Sequence, residues 1–170
     1  GLYSALSLLL CYSSVFLIAQ FNTSELIQEK LFIKLVAWEP LINQFHELAD
    51  QVEMNTQKSP VFVPLDNFPI GSELAFYQAK LLAQGKTRKN YPIVGSHLFG
   101  LESLMYRYWS KEDLTRRPLI IVSKELWRFD VPELKRQVIE LSELKKIEST
   151  GQGQHVKNIP FYYKIVQLKE

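Results

Sequence analysis

The first twenty residues, Gly1 to Gln20, carry no charged side chain, and the first residue charged at neutral pH is Glu25. A helix rises about 1.5 Å per residue and a hydrocarbon core is about 30 Å thick, so a stretch of this length can span a bilayer. Its serines do not prevent insertion, because hydroxyl groups can bond to helix carbonyls or to a neighbouring helix. The sequence therefore predicts a transmembrane helix over residues 1–20.

Two alternatives compete for this stretch, a secretory signal peptide and a buried core helix. A signal peptide would begin with methionine and a basic region and would end in a small-x-small cleavage site, and the stretch shows none of these. A core helix of an ordinary domain would usually carry a polar face, which is also missing. Because the span begins at Gly1, we expect the chain to be part of a longer polypeptide.

The composition of the whole chain fits one globular domain behind the span. Its 170 residues are 46% hydrophobic and 22% charged, which excludes wholesale disorder. Lys and Arg number 20 against 18 Asp and Glu, a net charge of +2 without a basic stripe, so we expect no nucleic-acid partner. The single cysteine, Cys11, excludes an internal disulfide and a zinc site built from cysteine pairs.

We divide the chain into a transmembrane helix over residues 1–20, a connector over 21–37 and an extracytoplasmic α/β domain over 38–170. The connector has apolar pairs about one helical turn apart, and we expect it to lie along the membrane surface or to pack under the domain. The loop that contains Lys86, Arg88 and Lys89 is basic, and it either attracts anionic headgroups or is simply solvated.

Helical and strand-like patterns alternate along the domain. Helical patterns begin at Pro40, at Ser72 as an N-cap, at Leu101, and at Asp130, where Asp130 and Glu133 resemble a capping box. Strand-like runs cover residues 60–65, 91–95, 118–122, 144–148 and 161–168. Strands separated by helices imply parallel crossovers, and the last two runs form a hairpin. We expect a three-layer α/β sheet of about five strands, mostly parallel, with a C-terminal antiparallel hairpin.

The motifs of common enzyme classes are missing from the sequence. It has no phosphate-binding loop and no Gly-x-Ser-x-Gly, and Gly151-Gln152-Gly153 lacks the third glycine of a dinucleotide site. The three histidines stand in separate segments, without a second ligand at helical spacing. We therefore expect neither a metal site nor a catalytic set within this chain.

The first candidate ligand site is the turn after the first strand, where Asp66 and Ser72 would face a crevice. Open α/β sheets bind ligands beyond the carboxyl ends of their strands, and a helix N-terminus there offers free N–H groups. The alternative is purely structural, because Asp, Asn, Pro and Gly also build tight connections, and a helix cap explains Ser72.

The second candidate ligand site is the aromatic run that contains Tyr106, Arg107 and Trp109. Aromatic faces can stack on the C–H surface of a sugar, and Arg107 could pair with a phosphate. Packing is the alternative, because Tyr108 belongs to the apolar stripe of the predicted helix and Trp109 can close its end.

Three sequence runs resemble the C-terminal soluble region of bacterial integral-membrane glycosyltransferases related to dolichyl-phosphate-mannose protein mannosyltransferases and aminoarabinose transferases. They are Ala37-Trp38-Glu39-Pro40-Leu41, Ser72-Glu73-Leu74-Ala75-Phe76-Tyr77, and Gly95-Ser96-His97-Leu98-Phe99-Gly100 through Tyr108-Trp109. The resemblance covers roughly residues 1–125. It implies transfer of a sugar from a polyprenyl-phosphate carrier to a lipid or protein acceptor, outside the cytoplasmic membrane.

In such transferases the catalytic acids lie in an upstream external loop, so the resemblance places no catalytic residue in this chain. It implies three kinds of partner, namely membrane lipid, the upstream membrane region of the same polypeptide, and a glycan or protein acceptor. One alternative is a non-enzymatic, membrane-anchored module of the cell envelope that binds a carbohydrate or a protein. Another is an independent soluble enzyme, which would require a pocket that combines Asp66, His97 and Arg107.

Overall fold

Helices and a five-stranded sheet form a mixed α/β domain in the computed structural model, which describes residues 38–66, 69–101, 114, 116–149 and 159–169. The transmembrane helix predicted over residues 1–20 and the connector over 21–37 lie outside the described residues. Within the ranges given above, no helix has both the length and the apolar character needed to cross a bilayer.

The described elements follow one another in the order helix, strand, helix, strand, helix and three strands. The helices are α1 (Trp38–Thr56), α2 (Pro69–Ala83) and α3 (Pro132–Gln137), with 3-10 helices at Ser96–Phe99 and Leu126–Asp130. The strands are β1 (Val61–Pro64), β2 (Leu119–Ser123), β3 (Val138–Glu140), β4 (Lys145–Ser149) and β5 (Ile159–Leu168). The α1 helix confirms the helix predicted from the apolar spacing that begins at Leu41. The strand-like runs at residues 60–65, 118–122, 144–148 and 161–168 are confirmed as β1, β2, β4 and β5.

The strand order in the sheet is β1-β2-β5-β3, with β4 also paired to β5. Of the pairings between these strands only β1 with β2 is parallel, whereas β5 runs antiparallel to β2, β3 and β4. The prediction of a mostly parallel sheet is therefore wrong. We expected the C-terminal hairpin to add two antiparallel strands at the rim of the sheet. Instead, its strand β5 lies inside the sheet, with β2 on one side and β3 and β4 on the other.

The strands β3 and β4 together form one edge strand beside β5, which is interrupted by a bulge. Val166 pairs with Leu119 on one side and with Glu140 on the other, so β3 and β4 occupy the same side of β5. At the break the N–H groups of Leu141 and Ser142 both donate to the Ile165 carbonyl, at 2.9 and 3.1 Å. Two donors opposite one residue are typical of a β-bulge.

Apolar side chains cover both faces of the sheet. Phe62 and Ile120 join the core under α1 and α2, whereas Val61 and Ile121 join the core on the opposite face. That opposite core includes Phe129 from the second 3-10 helix and Leu134 from α3. Because neighbouring strand residues point to opposite faces, strands buried on both sides read as unbroken apolar runs in the sequence.

Several predicted boundaries differ from the structure. The α2 helix begins at Pro69, a residue suited to a first turn, so Ser72 lies inside the helix and is not its N-cap. The helix expected from Asp130 onward is only six residues long, and its N-cap is Val131, without a side-chain cap bond. Asp130 instead pairs with Lys135 at 2.7 Å. Val138, which we expected inside this helix, begins β3, because it pairs with Leu168 of β5.

The run at residues 91–95 forms a single parallel bridge rather than a full strand. The N–H of Phe62 donates to the Pro92 carbonyl and the N–H of Val94 donates to the Phe62 carbonyl, both at 2.9 Å. Proline at position 92 has no N–H group for a longer ladder. The following 3-10 helix ends at Gly100, whose φ of 74° lies in the left-handed region that favours glycine. Most of the helix expected over residues 101–108 lies outside the described residues.

Candidate ligand-binding site

The carboxyl ends of β1 and β2 lie side by side, where the chain leaves the sheet in two opposite directions. From β1 it continues through α2 to the bridge residue Ile93, on the outer side of β1. From β2 it continues through α3 to β3, on the far side of β5. In open α/β sheets such divergence usually leaves a crevice outside the strand ends, where ligands bind, and we call this edge the crevice. Asp66 follows β1 there, and Ser123 is the last residue of β2.

Asp66 is a mostly buried carboxylate with an incomplete set of hydrogen bonds. Its Oδ1 atom lies 3.3 Å from the Nε atom of Arg128. The Ser123 side chain and the Lys124 backbone also bond to the carboxylate, yet Oδ2 is buried without a partner among the described residues. Burial raises the pKa of Asp66, and the Ser123 bond and the Arg128 charge only partly oppose that rise.

Arg128 connects the two strand ends. Its Nη1 atom donates to the Leu65 carbonyl at 3.0 Å, and its Nε atom donates to Glu125 Oε2 at 2.7 Å. The guanidinium carbon lies 4.7 Å from the ring centroid of Trp127, so it stacks on one face of that ring. Arg128 therefore holds the crevice together while its own charge is balanced by carboxylates.

Trp127 is the exposed aromatic residue at this edge, with 60% of its surface accessible. Its neighbour Leu126 is also exposed. An indole ring with one free face can stack on an apolar surface, including the C–H face of a sugar ring. A buried carboxylate oxygen without a partner accepts hydrogen bonds from hydroxyl groups. The crevice thus combines a stacking surface with a hydrogen-bond acceptor, an arrangement suited to a polyhydroxylated ligand.

The first turn of α1 lies at this same edge. Lys124, directly after β2, places Nζ 5.1 Å from the ring centroids of both Trp38 and Phe161. Lys124 also acts electrostatically on Glu73 of α2, whose pKa is raised by burial and lowered in part by that charge. The N-terminal halves of both long helices are therefore close to the carboxyl end of β2.

The sequence-predicted site residues fall into three groups. Asp66 follows β1 beside the carboxyl end of β2, and its role in ligand binding stays a prediction. Ser72 is exposed on α2, inside the helix rather than at its start. Tyr106, Arg107 and Trp109 lie outside the described residues, so the proposed aromatic site remains a prediction.

The structure adds Ser123, Trp127 and Arg128, which sequence reasoning missed. The rule that singled out Asp66 could have found Ser123, because it ends the clearest strand of the sequence. No periodicity marks Trp127 and Arg128, because they lie in a 3-10 helix whose position depends on the parallel pairing of β1 with β2.

A second polar cluster surrounds Tyr91. Its hydroxyl donates to Asp50 in a short hydrogen bond and contacts Glu53 at 3.1 Å. Lys89 pairs with both carboxylates, at 3.0 and 2.6 Å, and these bonds raise the pKa of its ammonium group. His46 packs beside Tyr91, and its Nε2 atom is buried without a partner among the described residues.

The basic loop is exposed to solvent, and two of its lysines also form ion pairs. Lys89 belongs to the Tyr91 cluster, and Lys86 lies 3.3 Å from Glu39 of α1. Within the part of the chain that the structure describes, no three His, Cys, Asp or Glu side chains form a group that could hold a metal ion. His46 lies in α1 and His97 in the first 3-10 helix, whereas His155 is not among the described residues.

Comparisons with known proteins leave the family open. No protein-family model, no curated protein and no solved structure matches this chain.

Proposed function

We propose that this chain is the terminal membrane helix and the extracytoplasmic domain of a polyprenyl-phosphate-dependent glycosyltransferase. In this proposal the domain recognises the acceptor, and the upstream membrane region of the same polypeptide supplies the catalytic acids and binds the polyprenyl-phosphate sugar donor. The domain lies on the external side of the cytoplasmic membrane. The proposal rests on the resemblance of the three sequence runs and on the crevice beside β1 and β2.

The observation that carries the proposal is the meeting of Asp66, Arg128 and Trp127 at one sheet edge. Arg128 holds the Asp66 carboxylate at 3.3 Å, and one carboxylate oxygen has no partner within the part of the chain that the structure describes. In this proposal a sugar hydroxyl donates to the Asp66 carboxylate while the sugar ring stacks on Trp127. Because Asp66 and Glu125 both face Arg128, the site carries no excess positive charge for an anion.

The position of α1 also supports this proposal. Trp38 begins α1, and its ring lies 5.1 Å from Nζ of Lys124, the residue that follows Ser123. The chain from the predicted span therefore reaches the domain at the edge that carries the crevice. A crevice on the membrane-facing side would present a bound acceptor toward the region that we expect to hold the donor.

A second candidate function is a non-enzymatic envelope module that binds a carbohydrate. The same crevice favours it, because stacking and hydroxyl recognition require no catalytic group. The two functions differ in one respect, since only the transferase depends on an upstream catalytic region.

The test is a transfer assay on membranes that contain the complete polypeptide, with labelled polyprenyl-phosphate sugars as donors. We expect Asp66→Asn and Trp127→Ala each to raise the acceptor KM about tenfold, equivalent to about 1.4 kcal/mol, with little change in kcat. Met54→Ala, at an exposed position on α1, is the matched control. Unchanged KM values in both crevice variants would contradict acceptor recognition. Glycan binding without any transfer would favour the envelope module.

A further inference from the structure

Apart from Ser72, the exposed residues of α2 are apolar, and the helix also buries a second apolar face. Ile70, Leu74 and Leu81 pack into the core. The exposed positions of the same helix are Ser72, Ala75, Phe76, Ala79 and Ala83. None of these is charged, and the phenyl ring of Phe76 is 63% accessible. A helix with apolar residues on its outer face as well as on its buried face is usually covered on both.

The neighbouring helix α1 provides the contrast. Its exposed positions include Asn43, Glu47 and Gln51, and the exposed apolar residue near its end is Met54. Since α1 and α2 pack on the same face of the sheet, the difference does not come from a different place in the core. The outer face of α2 is therefore unusual for a solvated helix of this domain.

Basic side chains flank this apolar face. Lys80 Nζ lies 2.6 Å from Glu39 Oε2, and Lys86 Nζ lies 3.3 Å from Glu39 Oε1. Two cations share one carboxylate, so these three side chains carry a net charge of +1, and Lys80 lies one helical turn from Phe76 on α2. Tyr77 adds a second aromatic ring, 5.2 Å from that of Phe76 and in an edge-to-face arrangement.

We propose that the outer face of α2 lies against the phospholipid surface, with Phe76 entering the interfacial region and Lys80 and Lys86 near anionic headgroups. This inference rests on the membrane tether in the proposed function. Glu39, which holds both lysines, is the second residue of α1, so the face adjoins the point where the chain arrives from the predicted span. Aromatic rings beside basic residues are typical of segments that lie at the membrane interface.

A bilayer fits this face better than a protein partner does. A standard protein interface buries about 800 Å² on each partner. One phenylalanine, which buries about 150–250 Å², and three alanines fall well short of that area. A lipid surface needs no complementary shape, and it provides anionic groups that match the net charge of +1 on Lys80, Lys86 and Glu39 together.

The test measures the depth of spin labels on the full chain in nanodiscs made of phosphatidylcholine and phosphatidylglycerol. Labels are placed at Phe76→Cys and Ala79→Cys in a Cys11→Ser background, because Cys11 is the single native cysteine. Met54→Cys is the matched control, since Met54 is 64% accessible and Phe76 is 63% accessible. The readout is the accessibility of each label to oxygen, which concentrates in lipid, and to a water-soluble nickel chelate.

We expect the labels at positions 76 and 79 to be more accessible to oxygen than to the chelate, and position 54 to show the reverse. Water-like values at all three positions in a chain that enters the nanodisc would overturn the inference and leave the proposed function standing. Shielding of positions 76 and 79 from both reagents would also overturn it, in favour of a protein contact. A chain that does not enter the nanodisc would remove the tether and with it both proposals.

Discussion

The Nε atom of Arg128 lies 3.3 Å from Oδ1 of Asp66, and this contact joins the end of β1 to the 3-10 helix after β2. The contact holds the carboxylate in place but leaves its hydrogen bonds incomplete, because Oδ2 is buried and lacks a partner among the described residues. A buried acceptor in this state costs stability in the unliganded protein. Binding sites often carry such a cost, which a ligand then relieves.

The unfolding free energy of two crevice variants tests this interpretation. Asp66→Asn removes a buried charge and leaves Arg128 paired with Glu125, so we expect no loss of stability at neutral pH. Arg128→Ala removes the bond to the Leu65 carbonyl and leaves Asp66 without its cation, so we expect a loss of about 2 kcal/mol. Urea unfolding of both variants measures the difference, and a larger loss in Asp66→Asn would show that the carboxylate is structural.

The stability difference between the wild type and Asp66→Asn should change with pH in one definite direction. Burial raises the pKa of Asp66 in the folded protein above its value of about 3.9 in unfolded chains, so the folded protein binds this proton more tightly. Lowering the pH through the folded pKa therefore stabilises the wild type relative to the variant. We expect any stability advantage of Asp66→Asn at neutral pH to shrink toward pH about 4, as measured by urea unfolding at both pH values. An advantage that grows on acidification would contradict the buried, charged state.

Gln78 fastens α2 to the bridge segment through a pair of hydrogen bonds. Its Nε2 donates to the Tyr91 carbonyl at 3.1 Å, and its Oε1 accepts from the Tyr91 N–H at 3.0 Å. Gln78 is only 1% exposed, so Gln78→Ala leaves two backbone groups in the interior without partners. We expect a loss of about 3 kcal/mol in chemical denaturation. Gln84→Ala, in the exposed loop after α2, is the control and should change stability by less than about 0.5 kcal/mol.

We expect His46 to make the stability of the domain sensitive to mild acid. Burial lowers its pKa, Asp50 opposes that shift only in part, and the side chain is 7% exposed. The unfolded chain takes up the proton near pH 6.5, before the folded protein does, so the unfolding free energy falls as the pH drops below that value. The slope for this one group reaches at most about 1.4 kcal/mol per pH unit.

His46→Phe should remove that slope, because it keeps a ring beside Tyr91 and cannot be protonated. The measurement is denaturant unfolding of both proteins between pH about 7 and about 5. If the unfolding free energies of wild type and variant fell in parallel across this range, His46 would be ruled out as the source of the acid sensitivity.

Much of the local structure follows from the sequence, because apolar periodicity reports which residues are buried. The spacing of Leu41, Phe45, Ala49 and Val52 predicted α1, and each of these residues is buried in the core. The β2 strand was equally clear, since all five of its residues are buried. Both patterns depend on residues close together in the chain.

The sheet topology could not be predicted from apolar periodicity. Whether β5 runs beside β2 or at the rim depends on pairs such as Ile120 with Ile165, which are far apart in sequence. The end of α3 was misplaced for the same reason, since Val138 fits a helical stripe but pairs with Leu168. Long-range pairing overrides local propensity at such positions.

The crevice was predictable only in part. Asp66 followed from its place after a strand, whereas Arg128 reaches it from 62 positions further along the chain. Ser72 was misassigned because a serine after a glycine is a good helix cap, and Pro69 starts the helix one turn earlier.

The most direct test of the account is ligand binding by the crevice itself. Saturation-transfer NMR on the full chain, with a panel of methyl glycosides, reports weak contacts between protein protons and sugar C–H groups. We expect transfer to the ring protons of at least one glycoside in the wild type, its loss in Trp127→Ala, and its loss in Asp66→Asn. Met54→Ala should retain it. The absence of transfer from every glycoside, or equal transfer in all four proteins, would contradict the claim that this edge of the sheet recognises a sugar.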